Sequence, residues 1–206
     1  KGFRMHTLPG HTLSAHEILQ DHGLEALRKI SVPTIAHSIE TFGMRPGGEG
    51  YTAGGVQCFF PERGVLLGYA CTAMIHSGQP AAPTRLVSRT KYWDYVKTAP
   101  FPKLSVVQDL SPQPLGVFVC EVNVNIHLAL GSMGVITNGT VRDIVEVRNT
   151  AFCMFANSLS VSHGYAHLED FNRSVTVFGM EVQPGDLVHA DQHGAVVIPH
   201  EIAPHI

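Results

Sequence analysis

From Gly116 to Asp143 the chain reads GVFVCEVNVNIHLALGSMGVITNGTVRD, and its only acidic or basic side chains other than one histidine are Glu121, Arg142 and Asp143. Each stands where an apolar run gives way to a helix start. Glu121 closes the run Leu115–Val119, and Arg142-Asp143 follows the run Val135–Thr137 and a turn at Gly139. Strand-to-helix junctions are where open α/β sheets collect ligands. Helix starts also offer free N–H groups to anions. An aspartate there suits a hard divalent ion such as Mg²⁺, which keeps several waters and uses only one or two carboxylates. Arginine adds a permanently charged fork for a carboxylate or a developing enolate oxygen. The pattern therefore reads as an anion site beside a metal ligand. On spacing alone, an Arg-Asp pair that merely caps a helix remains an open alternative.

Other residues carry weaker signals. His127, His163, His167 and His189 form no H-E-x-x-H run or tight Cys/His cluster, so a zinc site is not expected. Cys120 has no identifiable helper base for nucleophilic work. Asp186 and Asp191 read as turn residues. Tyr92, Trp93 and Tyr95 read as a packing cluster. The glycine-rich stretch 45–56 is a loop without the phosphate-binding pattern G-x-x-x-x-G-K-[ST].

Several elements must position the three charges. Ser14 and Glu17 form a capping box ahead of a helix over about 15–29. Pro33 opens a second helix carrying Ile35 and Ile39, which Gly43 stops. Strand-like runs follow at Val65–Ala70, Leu104–Gln108 and Leu115–Val119, with a helix around Lys91–Lys97 between the first two. A helix over Val122–Leu130 comes next, then a strand at Val135–Thr137. A short helix follows Arg142, and a strand lies at Ala151–Ala156. The tail holds β segments at Ser174–Phe178, Met180–Gln183, Asp186–His189 and Ala195–Ile198, with a Pro184-Gly185 turn between two of them. Alternating helices and strands, then clustered strands, predict a mixed α/β layered domain. No G-x-G-x-x-G follows a strand, which argues against a dinucleotide fold.

The whole chain sets bounds. Its 206 residues suit a single domain, with 1–30 as a helical extension and 31–199 as the core. The net charge of -3, without a basic stripe, leaves nucleic acid no electrostatic footprint. No run of eighteen apolar residues predicts a membrane span, and KGFRMHTLPG lacks the apolar core of a signal peptide. The four cysteines sit in apolar surroundings without pairing motifs, which fits free thiols and a cytoplasmic location.

Twenty residues separate Glu121 from Arg142. This resembles the acidic-x20-Arg-Asp motif of the class II 4-hydroxy-4-methyl-2-oxoglutarate/4-carboxy-4-hydroxy-2-oxoadipate aldolases of the RraA-like family. The family's G-[VI]-x-x-G-x-x-R-D run is similar to Gly134–Asp143. Its V-x-P-G-D-x-V-x-A-D-x-x-G-V-x-x-x-P run is similar to Val182–Pro199. The resemblance spans roughly residues 31–199. It implies a β/β/α swivelling-type sandwich and a trimer or hexamer with its active site between subunits. It also implies a Mg²⁺- or Mn²⁺-dependent lyase that releases pyruvate from a 4-hydroxy-2-oxo acid, with oxaloacetate decarboxylation as a second activity. Asp143 would bind the metal, Arg142 the pyruvyl group, and Glu121 would hold water near the metal. Backbone amides of Val122, Asn123 and Val124 would take the substrate carboxylate. The family's namesake, which regulates a ribonuclease by protein contact, supplies the non-catalytic alternative. The chain departs from the pattern at Cys120, where glycine is usual, at His37, where many relatives carry Asp, and at His193.

Overall fold

The computed structural model describes residues 19–82 and 87–206. Its centre is a nine-stranded sheet. The strands are β1 (Gln57–Cys58), β2 (Leu66–His76), β3 (Lys103–Asp109), β4 (Val117–Val119), β5 (Ser132–Val141), β6 (Cys153–Leu159), β7 (His167–Phe171), β10 (Leu187–Asp191) and β11 (Gly194–Ile198). Between β7 and β10 the hairpin β8 (Val175–Val177) and β9 (Met180–Val182) stands apart. The main order is β1-β6-β5-β3-β2-β10-β11, with β4 beside β5 and β7 beside β2. Strands β2 to β6 pair in parallel, while β10, β11, β7 and β1 join antiparallel. Residues 50–58 link the two ends of this order. Val197 N–H donates to Gly50 O at 2.8 Å, Thr52 N–H donates to Ala195 O at 2.9 Å, and Gln57 and Cys58 then pair with β6. The sheet is thereby nearly closed into a barrel.

Closure produces three apolar clusters. Leu104, Val106, Ile136, Phe155 and Val188 pack with Val175, Val177, Met180 and Val182 of the small hairpin. A second cluster joins the sheet to α3 (Arg89–Thr98), α4 (Glu121–Ala129) and α5 (Ile144–Arg148) through Tyr92, Val96, Val124, Val147 and Phe152. A third packs α1 (Asp21–Leu27) and α2 (Val32–Thr41) on β2, β10 and β11.

The reading of a second helix opened by Pro33 and stopped by Gly43 holds for α2. Ile35 and Ile39 are buried, Pro33 lies in its first turn, and Gly43 has the positive φ of a helix stop. Within α1, Leu24 and Leu27 pack on the chain's own sheet. The capping box at Ser14 and Glu17 lies outside the described residues. Asp186 and Asp191 serve turns as read. Asp186 accepts from Gln183 N at 2.7 Å, and Asp191 accepts from His193 N at 2.8 Å and from Val32 N at 2.9 Å. The sequence reading missed β7, whose His-Leu-Glu-Asp-Phe run carries too little apolar signal, and the two-residue β1.

Candidate functional site

Parallel register builds the site. Val119, the last residue of β4, lies beside Val141, the last of β5. The chain therefore leaves the sheet twice at one edge, once into α4 through Cys120-Glu121 and once into α5 through Arg142-Asp143. Glu121 N–H donates to Asp143 Oδ2 at 2.9 Å. Two residues far apart in sequence meet because their strands are neighbours.

Asp143 stands at the N-cap of α5 with φ 59° and ψ 40°. This left-handed conformation is uncommon outside glycine, and Asp is among the residues that tolerate it. Its side chain makes no cap bond to its own helix and reaches across to α4 instead. The carboxylate caps a helix, but the neighbouring one. Arg142 Nε lies 3.5 Å from the same Oδ2, and Arg142 Nη1 donates to Val161 O at 3.4 Å. Nε itself is buried without a hydrogen-bond partner among the described residues. The far end of α5 is held by Arg63, which donates to the carbonyls of Val147, Arg148 and Phe152. Its guanidinium lies 3.9 Å from the centroid of the Phe60 ring.

A cleft of about 380 Å³ opens over the start of α4. Arg142, Asn123, Val122 and Cys120 line one part of it, and Arg89, Trp93 and His163 line the rest. The expected amide set divides here. Val124 N–H closes the first helical turn onto Cys120 O at 2.9 Å, so it is not free for a ligand. Val124 therefore drops out of the three-amide expectation, because the amide four residues after the N-cap already reaches the N-cap carbonyl. Glu121 N–H belongs to Asp143, which leaves Val122 and Asn123 as the donors of this turn. The Asn123 side chain donates to Phe118 O at 2.5 Å, which anchors the turn to β4.

Cys120 has φ -113° and ψ 177°, an extended conformation open to any residue. A side chain in place of the usual glycine therefore costs no backbone strain, and it places a thiol on the cleft wall. Gly116 is more constrained. A Cβ there would lie 2.2 Å from His163 O, so its absence lets the loop that carries His163 close over β4.

Beneath the cleft α3 and α4 share a buried pair. His127 Nδ1 lies 2.6 Å from Asn123 O and donates to it, since a carbonyl only accepts. Nε2 then accepts from Tyr92 Oη at 2.9 Å. Burial lowers the His127 pKa and keeps the ring neutral. Sequence reasoning missed Arg89, Trp93 and His163 as cleft residues. They come from separate elements and share no spacing signal. Trp93 packs against the core as expected while also facing the cleft.

Asp143 Oδ2 takes both contacts just described, and Oδ1 has no hydrogen-bond partner among the described residues. One open oxygen on a partly exposed carboxylate fits a hard divalent ion that keeps most of its waters. No cluster of three His, Cys, Asp or Glu capable of caging a metal occurs among the described residues.

A family profile described as RraA-like, Aldolase/RraA, matches residues 28–197. The chain belongs to the RraA-like family. Protein DlpA of Legionella pneumophila is 30% identical over 79 residues, which is 36% of this chain and 13% of that protein. An uncharacterized protein of Methanocaldococcus jannaschii is 35% identical over 77 residues, 37% of this chain and 37% of that protein. These matches span well under half of either relative. The RraA-like fold is shared with Streptomyces coelicolor RraAS2, described as an unusual member of the RNase ES inhibitor RraA protein family. That structure superposes with a TM-score of 0.71 at 21% identity, covering 91% of this chain and 89% of that one. No described helix is long and apolar enough to cross a membrane.

Proposed function

We propose that this chain is a divalent-metal-dependent carbon–carbon lyase that releases pyruvate from a 4-hydroxy-2-oxo acid. The observation that carries this is the meeting of Asp143, Arg142 and the amides of Val122 and Asn123, unpaired among the described residues, at one sheet edge. In this reading Asp143 holds Mg²⁺ or Mn²⁺, which supplies Lewis acidity toward the oxo acid. Val122 and Asn123 N–H groups bind the substrate carboxylate at the positive end of α4. Arg142 binds the pyruvyl oxygen and stabilises the enolate charge that grows there as the C3–C4 bond breaks. The exposed Glu121 carboxylate orders water and takes the substrate hydroxyl proton through it. Oxaloacetate decarboxylation needs the same enolate and is proposed as a second activity.

A homotrimer or hexamer is part of the proposal. Leu115, Val161 and Tyr165 on loops and Leu159 at the end of β6 are all exposed, with Val161, whose carbonyl accepts from Arg142, 96% accessible. An apolar rim next to a charged cleft suits a second subunit completing the pocket. A cytoplasmic location, with neither nucleic acid nor membrane as partner, belongs to the same proposal.

The test is pyruvate release from 4-hydroxy-4-methyl-2-oxoglutarate and from oxaloacetate, with Mg²⁺ or EDTA. Turnover is expected only with metal, and Asp143→Asn is expected to fall to the EDTA background. Metal-independent turnover, or full activity in Asp143→Asn, defeats the reading. The likeness to RraAS2 supports a second reading, a non-catalytic regulator that binds a ribonuclease. Co-purification of a ribonuclease by a protein that binds no divalent ion would favour it.

A further inference from the structure

The cleft is larger than a pyruvyl group fills, and most of its lining does no polar chemistry. Its volume of about 380 Å³ lies within the range of small-molecule sites. Trp93, Val117, Phe118, Val122, Ile126 and Ala166 all line it. Val122 and Ile126 stand four residues apart and share one face of α4. Trp93 follows Tyr92 on α3, and Ile126 precedes His127 on α4. The bond of 2.9 Å between Tyr92 and His127 therefore holds Trp93 and Ile126 together at the seam of the two helices. Trp93 is half-buried and packs against the core behind it, so this apolar wall is fixed by the core and not by loops. Arg89 and His163 also line the cleft, but both are exposed, where water solvates and screens their charge.

The wall is continuous with the anion position at the start of α4. Val122 contributes to both. Its amide faces the ligand carboxylate, and its side chain, 65% exposed, belongs to the wall. A ligand held by that amide already lies against apolar surface. Extending it with carbon removes the surface from water, whereas a second charge there would have to be stripped of water against valine, isoleucine and indole.

We propose that Trp93, with Val122 and Ile126, is a specificity determinant that seats an apolar substituent on C4 of the oxo acid. The preferred substrate is then a monoanionic 4-hydroxy-2-oxo acid with a branched aliphatic or aromatic tail. Its cleavage gives pyruvate and an apolar aldehyde or ketone. The hydroxyl proton leaves, the C3–C4 electron pair becomes the enolate, and C3 is then protonated. 4-Hydroxy-4-methyl-2-oxoglutarate offers the wall one methyl group, and the preferred substrate offers more. This rests on the oxo-acid reading above for the end at which the ligand is anchored, although the preference for an apolar tail is read by binding alone.

The test compares 5-methyl-2-oxohexanoate with 2-oxoglutarate in the presence of Mg²⁺. The two share a five-carbon run, and two methyl groups of the first stand where the second has carboxylate oxygens. Trp93 is the single tryptophan of the chain, so its emission reports contact with this wall while calorimetry gives the affinities. The apolar probe is expected to bind roughly tenfold more tightly, the lower end of what one or two buried methylenes give, and to change Trp93 emission. In Ile126→Thr, a change of similar size on a half-buried position, the ratio is expected to fall several-fold. Equal affinities, tighter 2-oxoglutarate, or binding of neither probe in the unaltered protein overturns the proposal. So does a tight apolar probe that leaves Trp93 emission unchanged, which would put the tail elsewhere. Pyruvate release from 4-hydroxy-4-methyl-2-oxoglutarate in the same preparation separates the two claims. Its absence would remove the lyase reading, while the affinity ratio and the Trp93 signal would still decide what the wall binds.

Discussion

At the scale of single residues, Asp143 carries two demands at once. Its backbone is left-handed, and its carboxylate reaches the amide of Glu121. Asn satisfies both demands without the charge, because Asn also tolerates that conformation and its side-chain oxygen accepts. Ala satisfies neither. Asp143→Ala is therefore expected to lose about 1–2 kcal/mol more stability than Asp143→Asn, as read by urea unfolding. Equal losses would show that the carboxylate makes no structural contribution. This separation also makes Asp143→Asn the cleaner probe of metal dependence. Arg142 and Asp143 were legible in the sequence because they sit in one dipeptide with a fixed distance from Glu121. Arg89 was not legible, since nothing in the sequence states which helix start will face which.

At the scale of elements, the junctions after β4 and β5 are set by strand pairing. The twenty-residue interval holds all of α4 after Glu121 and the whole of β5, and this crossover returns the chain to a parallel neighbour with Val141 beside Val119. A helix over Val122–Leu130 was legible in the sequence, and α4 buries Val124 and His127. The sequence could not show that Val124 N–H is occupied, because that depends on where the first turn begins. The hold between α3 and α4 is also a tertiary fact. Tyr92→Phe removes the hydroxyl that His127 Nε2 accepts from, leaving a buried ring nitrogen unpaired. The expected cost is about 1–3 kcal/mol in equilibrium unfolding. No loss would mean that water replaces the hydroxyl and that the pair does not fix the helices.

At the scale of the whole molecule, nearly closing the sheet buries histidines far from the cleft. His189 is fully buried, with Nε2 donating to Leu27 O at 3.0 Å and Nδ1 unpaired among the described residues. Burial lowers its pKa, so the unfolded chain takes up the proton first as pH falls. The stability from this neutral histidine is present above pH of about 6.5 and is lost as pH drops through the lower folded value. Asp186, pushed up to about 6 by burial, titrates with the opposite sign, so the comparison belongs against a variant. Between pH 7 and pH 5 the thermal midpoint of the unaltered protein is expected to fall further than that of His189→Gln. Parallel curves would remove His189 from the pH response. The sequence by itself determined the α/β class, most of the elements and the Glu121, Arg142 and Asp143 set, because periodicity, caps and short motifs are local signals. Only the tertiary structure decided the near-closed sheet, the amides of α4 left unpaired among the described residues and the arginine of α3 on the cleft. Those depend on strand register and helix packing, which join residues that no local spacing relates.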